Sequence, residues 1–230
     1  MSHKHIEILR TLYLRGPSIW TYRPIIEALI DIGELEDFPS NTLPGFNERL
    51  SAWLPGLIEH RCSPGVRGGF LQRLETGTWP GHILEHTALE LLTLAGIPDG
   101  YGRARDAGPH AMYKVIISAP HPEVGRQALL VARELVMAAI EDKPFDVAAA
   151  VEDLTDLVDS RLVGPSTRSI VQAAWDSQRI PHIRLNAGNL VQLGYGSAQR
   201  RIWTAETDRT SAIAEGISKD KDMTKRLLAT

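Results

Sequence analysis

The sequence predicts an α+β protein, and three observations carry that expectation. Ile26, Ala28, Ile30 and Ile32 alternate with Glu27 and Asp31, the period of a strand with one buried face. Ile83, Leu84, Leu91 and Leu94 recur at helical spacing, and Gly96 with Pro98 gives that helix a stop. The order of such patterns is mixed: strands, then helices, a strand, then helices, as in domains that pack helices on a sheet.

Taken in order, residues 5–14 read as a strand before the Gly16-Pro17 break, and residues 26–32 as a second. Residues 37–45 hold two prolines with Asn and Ser and read as a loop. Phe46, Leu50, Trp53, Leu54 and Leu57 have helical spacing, with Thr42 as cap, Pro44 in the first turn and Pro55 as a break or kink. Residues 63–69, rich in glycine, turn the chain. Residues 79–94 form the clearest helix of the first half. Tyr113, Val115 and Ile117 mark one face of a strand within 110–119, and helices follow at 124–140 and 145–158. These elements make a first domain, residues 1–160.

Near Leu162 the elements shorten. A helix from Ser166, strands at 181–185, 190–193 and 201–205, and a helix from Asp220 read as the opening of a second α/β unit, residues 161–230. The Gly164-Pro165-Ser166-Thr167 turn suits a capping serine.

Composition narrows the function classes. The chain has 230 residues, 43% hydrophobic and 23% charged, enough to bury a sizeable core. A net charge of −3 gives no global case for a nucleic-acid partner. A single cysteine, Cys62, cannot form an intrachain disulfide. Residues 1–10 lack an apolar signal core, and charges or His interrupt every apolar stretch short of a membrane span. A cytoplasmic protein with no membrane partner is expected.

The chemistry concentrates in His82-Ile83-Leu84-Glu85-His86, an H-x-x-E-H run inside the clearest helix. Residues four apart share a helical face, so both imidazoles can reach one ion. Glu85 stands beside the pair, where a carboxylate can take a proton from an attacking water. The order is that of the inverted zinc peptidase motif. Zinc is therefore the expected cofactor. A third ligand is needed, and Glu90, four residues past His86, is favoured over Glu59, His60 or a more distant residue. His82 and Glu90 are nevertheless about 12 Å apart along the axis. The competing reading is a structural His pair in satisfied hydrogen bonds.

The run from His60 to Phe70 supplies candidate substrate contacts. Its glycines permit close backbone approach, and Arg67 can grip a carboxylate. An ordinary turn with a surface arginine explains the same residues. Cys62 can be a soft ligand or a nucleophile, although a buried structural thiol is the default without a basic partner. Arg103 and Arg105, after Gly100-Tyr101-Gly102, can bind acidic groups or simply be solvated. Leu193-Gly194-Tyr195-Gly196 lacks the lysine of a P-loop.

Asp37-Phe38-Pro39-Ser40-Asn41, Pro44-Gly45-Phe46, Glu59-His60, Cys62-Ser63-Pro64-Gly65, Gly68-Gly69-Phe70 and Gly81-His82-Ile83 with Glu85-His86 resemble the N-terminal region of cyanophycin synthetases. Leu193-Gly194-Tyr195-Gly196, Gln199-Arg200-Arg201-Ile202 and Asp220-Lys221 with Thr224-Lys225 resemble the opening of their ATP-grasp domain. The resemblance runs over nearly the whole chain, with the motifs in the family's order. It implies an N-terminal polymer-handling domain followed by the first lobe of an ATP-grasp ligase. The implied partner is the storage polymer multi-arginyl-polyaspartate, made by ATP-dependent ligation with magnesium. The resemblance also implies cutting of the polymer at a metal site to make primers, with Glu85 catalytic, His82, His86 and Glu90 on the metal, and His60, Cys62, Arg67 and Arg103 on the substrate. A homo-oligomer is expected too. A non-catalytic scaffold that holds the polymer is the alternative. The nucleotide-binding residues would lie beyond Thr230, so no ligation is expected of these 230 residues alone.

Overall fold

In the computed structural model, which describes residues 4–98, 100–186 and 188–229, the chain divides into two units, Met1–Arg161 and Leu162–Thr230.

The first unit is built on a four-stranded antiparallel sheet. Its strands are β1 (Lys4–Leu14), β2 (Ile25–Gly33), β3 (Gly102–Asp106) and β4 (Met112–Ser118), in the spatial order β1-β2-β4-β3. The alternation in β2 is what the sheet uses. Ile26, Ala28, Ile30 and Ile32 are fully buried, and Ile26 and Ala28 stand opposite Ile117 and Val115 of β4. Cross-strand pairs of β-branched side chains on a buried face are the unit of sheet stability.

Five helices accompany the sheet: α1 (Phe46–Trp53), α2 (Gly69–Thr76), α3 (Pro80–Leu94), α4 (Pro122–Glu141) and α5 (Val147–Arg161). The helix α3 packs on β3 and β4 and on α4, while α4 packs on β1 and β2. Both begin with proline, whose fixed φ suits a first turn and whose missing N–H leaves nothing unpaired there. In α4, Val124, Ala128, Leu129, Val131, Ala132, Leu135, Val136 and Ala139 are buried. In α3 even Glu85, His86 and Glu90 are buried among Ile83, Leu84, Ala88, Leu91 and Leu92. Burying such groups costs free energy unless they find partners, which marks α3 as the helix to examine for chemistry.

Several local expectations change. Pro55 does break the helical run, which continues as a 3-10 segment, Pro55–Glu59. Thr42 does not cap α1: its hydroxyl donates to the Pro39 carbonyl, and Gly45, with a left-handed φ of 67°, holds the cap position. The Gly102–Asp106 stretch is an edge strand rather than a loop, and α2 is a helix that the sequence pattern does not announce.

The second unit has its own antiparallel sheet, β5 (His182–Arg184), β6 (Leu190–Leu193), β7 (Arg200–Trp203) and β8 (Glu206–Thr207), in sequential order. Its helices are α6 (Pro165–Gln178), α7 (Ala212–Lys219) and α8 (Lys221–Leu228). A small core joins Val171, Val191 and Ile202, with Val163, Ile170 and Leu193 packed against it. The Ser166 hydroxyl does not cap α6. Gly164 is the cap residue, and its N–H donates to Asn189 Oδ1 at 2.6 Å. Asp220 does cap α8, accepting from the N–H groups of Asp222 and Met223. No described helix is long and apolar enough to cross a membrane.

Candidate metal centre and its cleft

Two segments of the first unit converge on one point. The first is the buried face of α3. The second is the loop after the Pro55–Glu59 segment, tied down by the Gly68 N–H donating to the Ile58 carbonyl and the Phe70 N–H donating to the His60 carbonyl. Gly69 serves this loop's own folding: a Cβ there would lie 1.8 Å from the Arg61 carbonyl oxygen. Gly69 thus admits backbone to backbone.

Among the described residues, Cys62, His82 and His86 are the group whose donor atoms gather, all within 4.8 Å of one another. The Nε2 atoms of His82 and His86 are 3.1 Å apart, and Cys62 Sγ is 3.2 Å from His82 Nε2. Cys62 reaches this place with a left-handed φ of 51°, which a non-glycine residue adopts at some cost. Two imidazoles and a thiol are donors of the type that zinc takes, and N···N edges of about 3.3 Å follow from Zn–N bonds of about 2.0–2.1 Å in a tetrahedron. The observed spacing fits such an ion, and three protein donors leave a fourth position for another group.

The two imidazole donors are fixed from behind. The Thr78 hydroxyl is 2.8 Å from His82 Nδ1. Thr78 is itself held by Ser40, whose Oγ accepts from the Thr78 N–H and donates to the Leu74 carbonyl. His86 Nδ1 lies 2.8 Å from His60 Nδ1, and His60 Nε2 lies 2.9 Å from Glu90 Oε2. Phe70 stacks on His86 with ring centroids 4.1 Å apart and meets His82 edge-on at 5.6 Å.

Burial sets the electrostatics. It pushes His82 down to about 4, with the Arg73 charge adding to the effect. His86 is lowered for the same main reason, then by His82 and His60. Glu85 is pushed up to about 8 by burial, against the pull of Arg103, Arg105 and the Ala104 backbone N–H. The imidazoles are therefore neutral near pH 7, as ligands must be. Glu85 sits where α3 meets the edge strand: a Cβ on Gly102 would lie 2.6 Å from Glu85 Oε1.

These residues open into a cleft of about 950 Å³. Arg61, Arg73, Arg103 and Arg105 line it together with the acidic Glu59, Glu85, Glu90 and Asp106, and Tyr101, Tyr113 and Trp79 are its aromatic walls. The Tyr113 hydroxyl donates to Glu36 Oε1 at 3.0 Å.

The sequence-predicted residues therefore separate. His82, His86, Glu85, His60, Cys62, Glu90 and Arg103 all line the cleft. Cys62 is the donor that joins the Nε2 atoms of the His pair, whereas Glu90 spends its carboxylate on His60. Arg67 lies outside the cleft lining, exposed and paired with Glu59 at 2.6 Å. Thr78 and Arg73 are not singled out by the sequence, and Phe70 and Tyr113 read there only as a motif residue and a strand residue. Of the first two, Thr78 has a local signal, four residues before His82.

Fold and site together define an α+β domain with a Cys–His–His cluster in the lining of a cleft that carries both arginines and carboxylates. The chain belongs to the cyanophycin synthase-like N-terminal domain family, which it matches over residues 27–141. It is 41% identical to the cyanophycin synthetase of Geminocystis herdmanii over 97% of this chain and 26% of that protein. It is 40% identical to those of Crocosphaera subtropica and a Synechocystis strain, over 97% of this chain and 26% of each. The chain thus spans about a quarter of the length of the curated relatives it matches.

Proposed function

We propose that the first unit binds multi-arginyl-polyaspartate and hydrolyses it at a zinc site formed by Cys62, His82 and His86, with Glu85 as general base. The observation that carries this reading is the meeting of three donor atoms, those of half-buried Cys62 and His82 and buried His86, within 4.8 Å of one another in a cleft that Glu85 also lines. A zinc ion there would supply a Lewis acid that makes water nucleophilic near neutral pH. Glu85 takes the proton of the attacking water and returns it to the leaving amine. Burial raises its proton affinity to about 8 in the metal-free chain, and the charge of a bound cation would lower it towards the range of a general base. Arg103 and Arg105, exposed at the cleft edge, take the carboxylates of the polymer.

The second unit is proposed to open an ATP-grasp ligase domain, as its glycine and arginine motifs suggest. ATP and magnesium then serve ligation in proteins of the relatives' full length, acting as homo-oligomers in the cytoplasm. The relatives' name, cyanophycin synthetase, supports the polymer as the shared substrate.

The test pairs two substitutions in α3. His82→Ala removes a ligand, so zinc content and polymer cleavage both fall. Glu85→Gln preserves shape and spares the metal, yet cleavage falls by about a hundredfold to ten-thousandfold, the usual contribution of a general base. Cleavage by Glu85→Gln at the parental rate removes Glu85 from this role. Polymer retention without metal or cleavage by the parent would instead establish a scaffold.

A further inference from the structure

Glu90 was the favoured third ligand on sequence grounds, yet its carboxylate faces away from the cluster. It is buried, with Oε2 at 2.9 Å from His60 Nε2. The place it occupies is specifically vacated: a Cβ on Gly56 would lie 1.9 Å from Glu90 Oε1 and 2.8 Å from its Cδ. His60 in turn presents Nδ1 to His86 Nδ1 at 2.8 Å. A line of hydrogen-bonding groups therefore runs from Glu90 through His60 to His86, and His86 Nε2 faces the donor cluster at its far end.

We propose that Glu90 and His60 are a positioning pair that fixes the tautomer of His86, so that its Nε2 lone pair is the one offered to the metal. This rests on the metal reading above and extends it outward. An ionised carboxylate can only accept a hydrogen bond, so it selects the His60 tautomer with the proton on Nε2. A His60 so arranged has a lone pair on Nδ1 and accepts from His86 Nδ1. The single proton of neutral His86 is then on Nδ1, and Nε2 is bare. Outer partners of this kind orient a ligand ring and raise its basicity, and their loss typically costs about 10- to 100-fold in metal affinity or activity. The serial arrangement adds a constraint: Glu90 has its effect only through His60.

The first test needs no metal. In the metal-free chain, side-chain 15N spectra should show His86 protonated at Nδ1 and His60 at Nε2, and Glu90→Gln should weaken that preference. His86 protonated at Nε2 in the parent overturns the proposal. The second test is zinc affinity by chelator competition. Glu90→Gln and His60→Ala should each bind about 10- to 100-fold more weakly. The double variant should bind no more weakly than His60→Ala alone. A further loss in the double variant would make Glu90 a direct ligand and sink the serial arrangement. Unchanged affinity in both single variants sinks it as well. A parent that holds no zinc refutes the metal reading instead, a result distinct from parental zinc binding that ignores Glu90.

Discussion

Gly56→Ala is the smallest change that should disturb the whole assembly. The added methyl would lie 1.9 Å from Glu90 Oε1, far inside contact distance, so the carboxylate must leave its place on His60. Overpacking of a filled interior costs about 1–3 kcal/mol, and a buried hydrogen bond to a charged group contributes about 1.5–3 kcal/mol. Against this, Gly→Ala gains about 0.4–1 kcal/mol by restricting the unfolded chain. The net expectation is a loss of about 3.5 kcal/mol, or roughly 7–14 °C in Tm for a protein of this size. Thermal melts of the metal-free protein measure it, with Gly16→Ala as control because nothing lies within 4 Å of that added carbon. Zinc affinity should fall in parallel, since the support of His86 is displaced. A Gly56→Ala protein as stable as the control, binding zinc as the parent does, would refute the packing argument and the line from Glu90 to His86 together.

Three further outcomes are expected. In the metal-free chain, His82 and His86 are held below the usual histidine range by burial, so the unfolded state binds more protons as pH falls below about 6.5, and stability declines. His82 alone, displaced from 6.5 to about 4, accounts for at most about 3 kcal/mol. Glu85, raised from 4.5 to about 8, has the opposite sign: stability is lost as pH rises towards 8. Urea midpoints in chelator should therefore peak near pH 6.5, and a flat profile would contradict the burial of these groups. Charge reversal at Arg103 and Arg105 should weaken polymer binding and make it less salt-dependent than in the parent, without changing zinc content; equal binding by the reversed protein would remove them from substrate recognition. The 230-residue chain should not incorporate aspartate or arginine with ATP, and detectable elongation by the pure protein would overturn that.

Much of the first unit is legible because period and burial coincide. The alternation at Ile26–Ile32 follows from one buried sheet face, and α3 shows its period because it packs on both sheet and helix. The edge strand β3 is not legible: Arg103 and Arg105 face solvent, so no apolar alternation survives. Likewise α2 is short and opens inside the glycine-rich 63–69 stretch, which reads as a turn.

The site divides the same way. His82, Glu85 and His86 could be read together because one helix fixes their spacing. Cys62 arrives from a loop 20 residues upstream of His82, and only the fold brings its sulfur to 3.2 Å from His82 Nε2. Glu90 shares the helix side with the His pair, yet its rise along the axis takes it past the cluster to His60. Helical spacing gives the side of a helix but does not by itself give which loop residue waits there.

The central claim is that Cys62, His82 and His86 hold one metal ion, and cobalt substitution tests it most directly. Cobalt(II) bound to the chain should show the intense near-ultraviolet absorption of a thiolate ligand together with visible bands of four-coordinate geometry. Cys62→Ser should abolish the thiolate absorption, and His82→Ala should abolish tight binding. A parent chain that binds no cobalt or zinc, or binds cobalt with no thiolate signature, would contradict the claim.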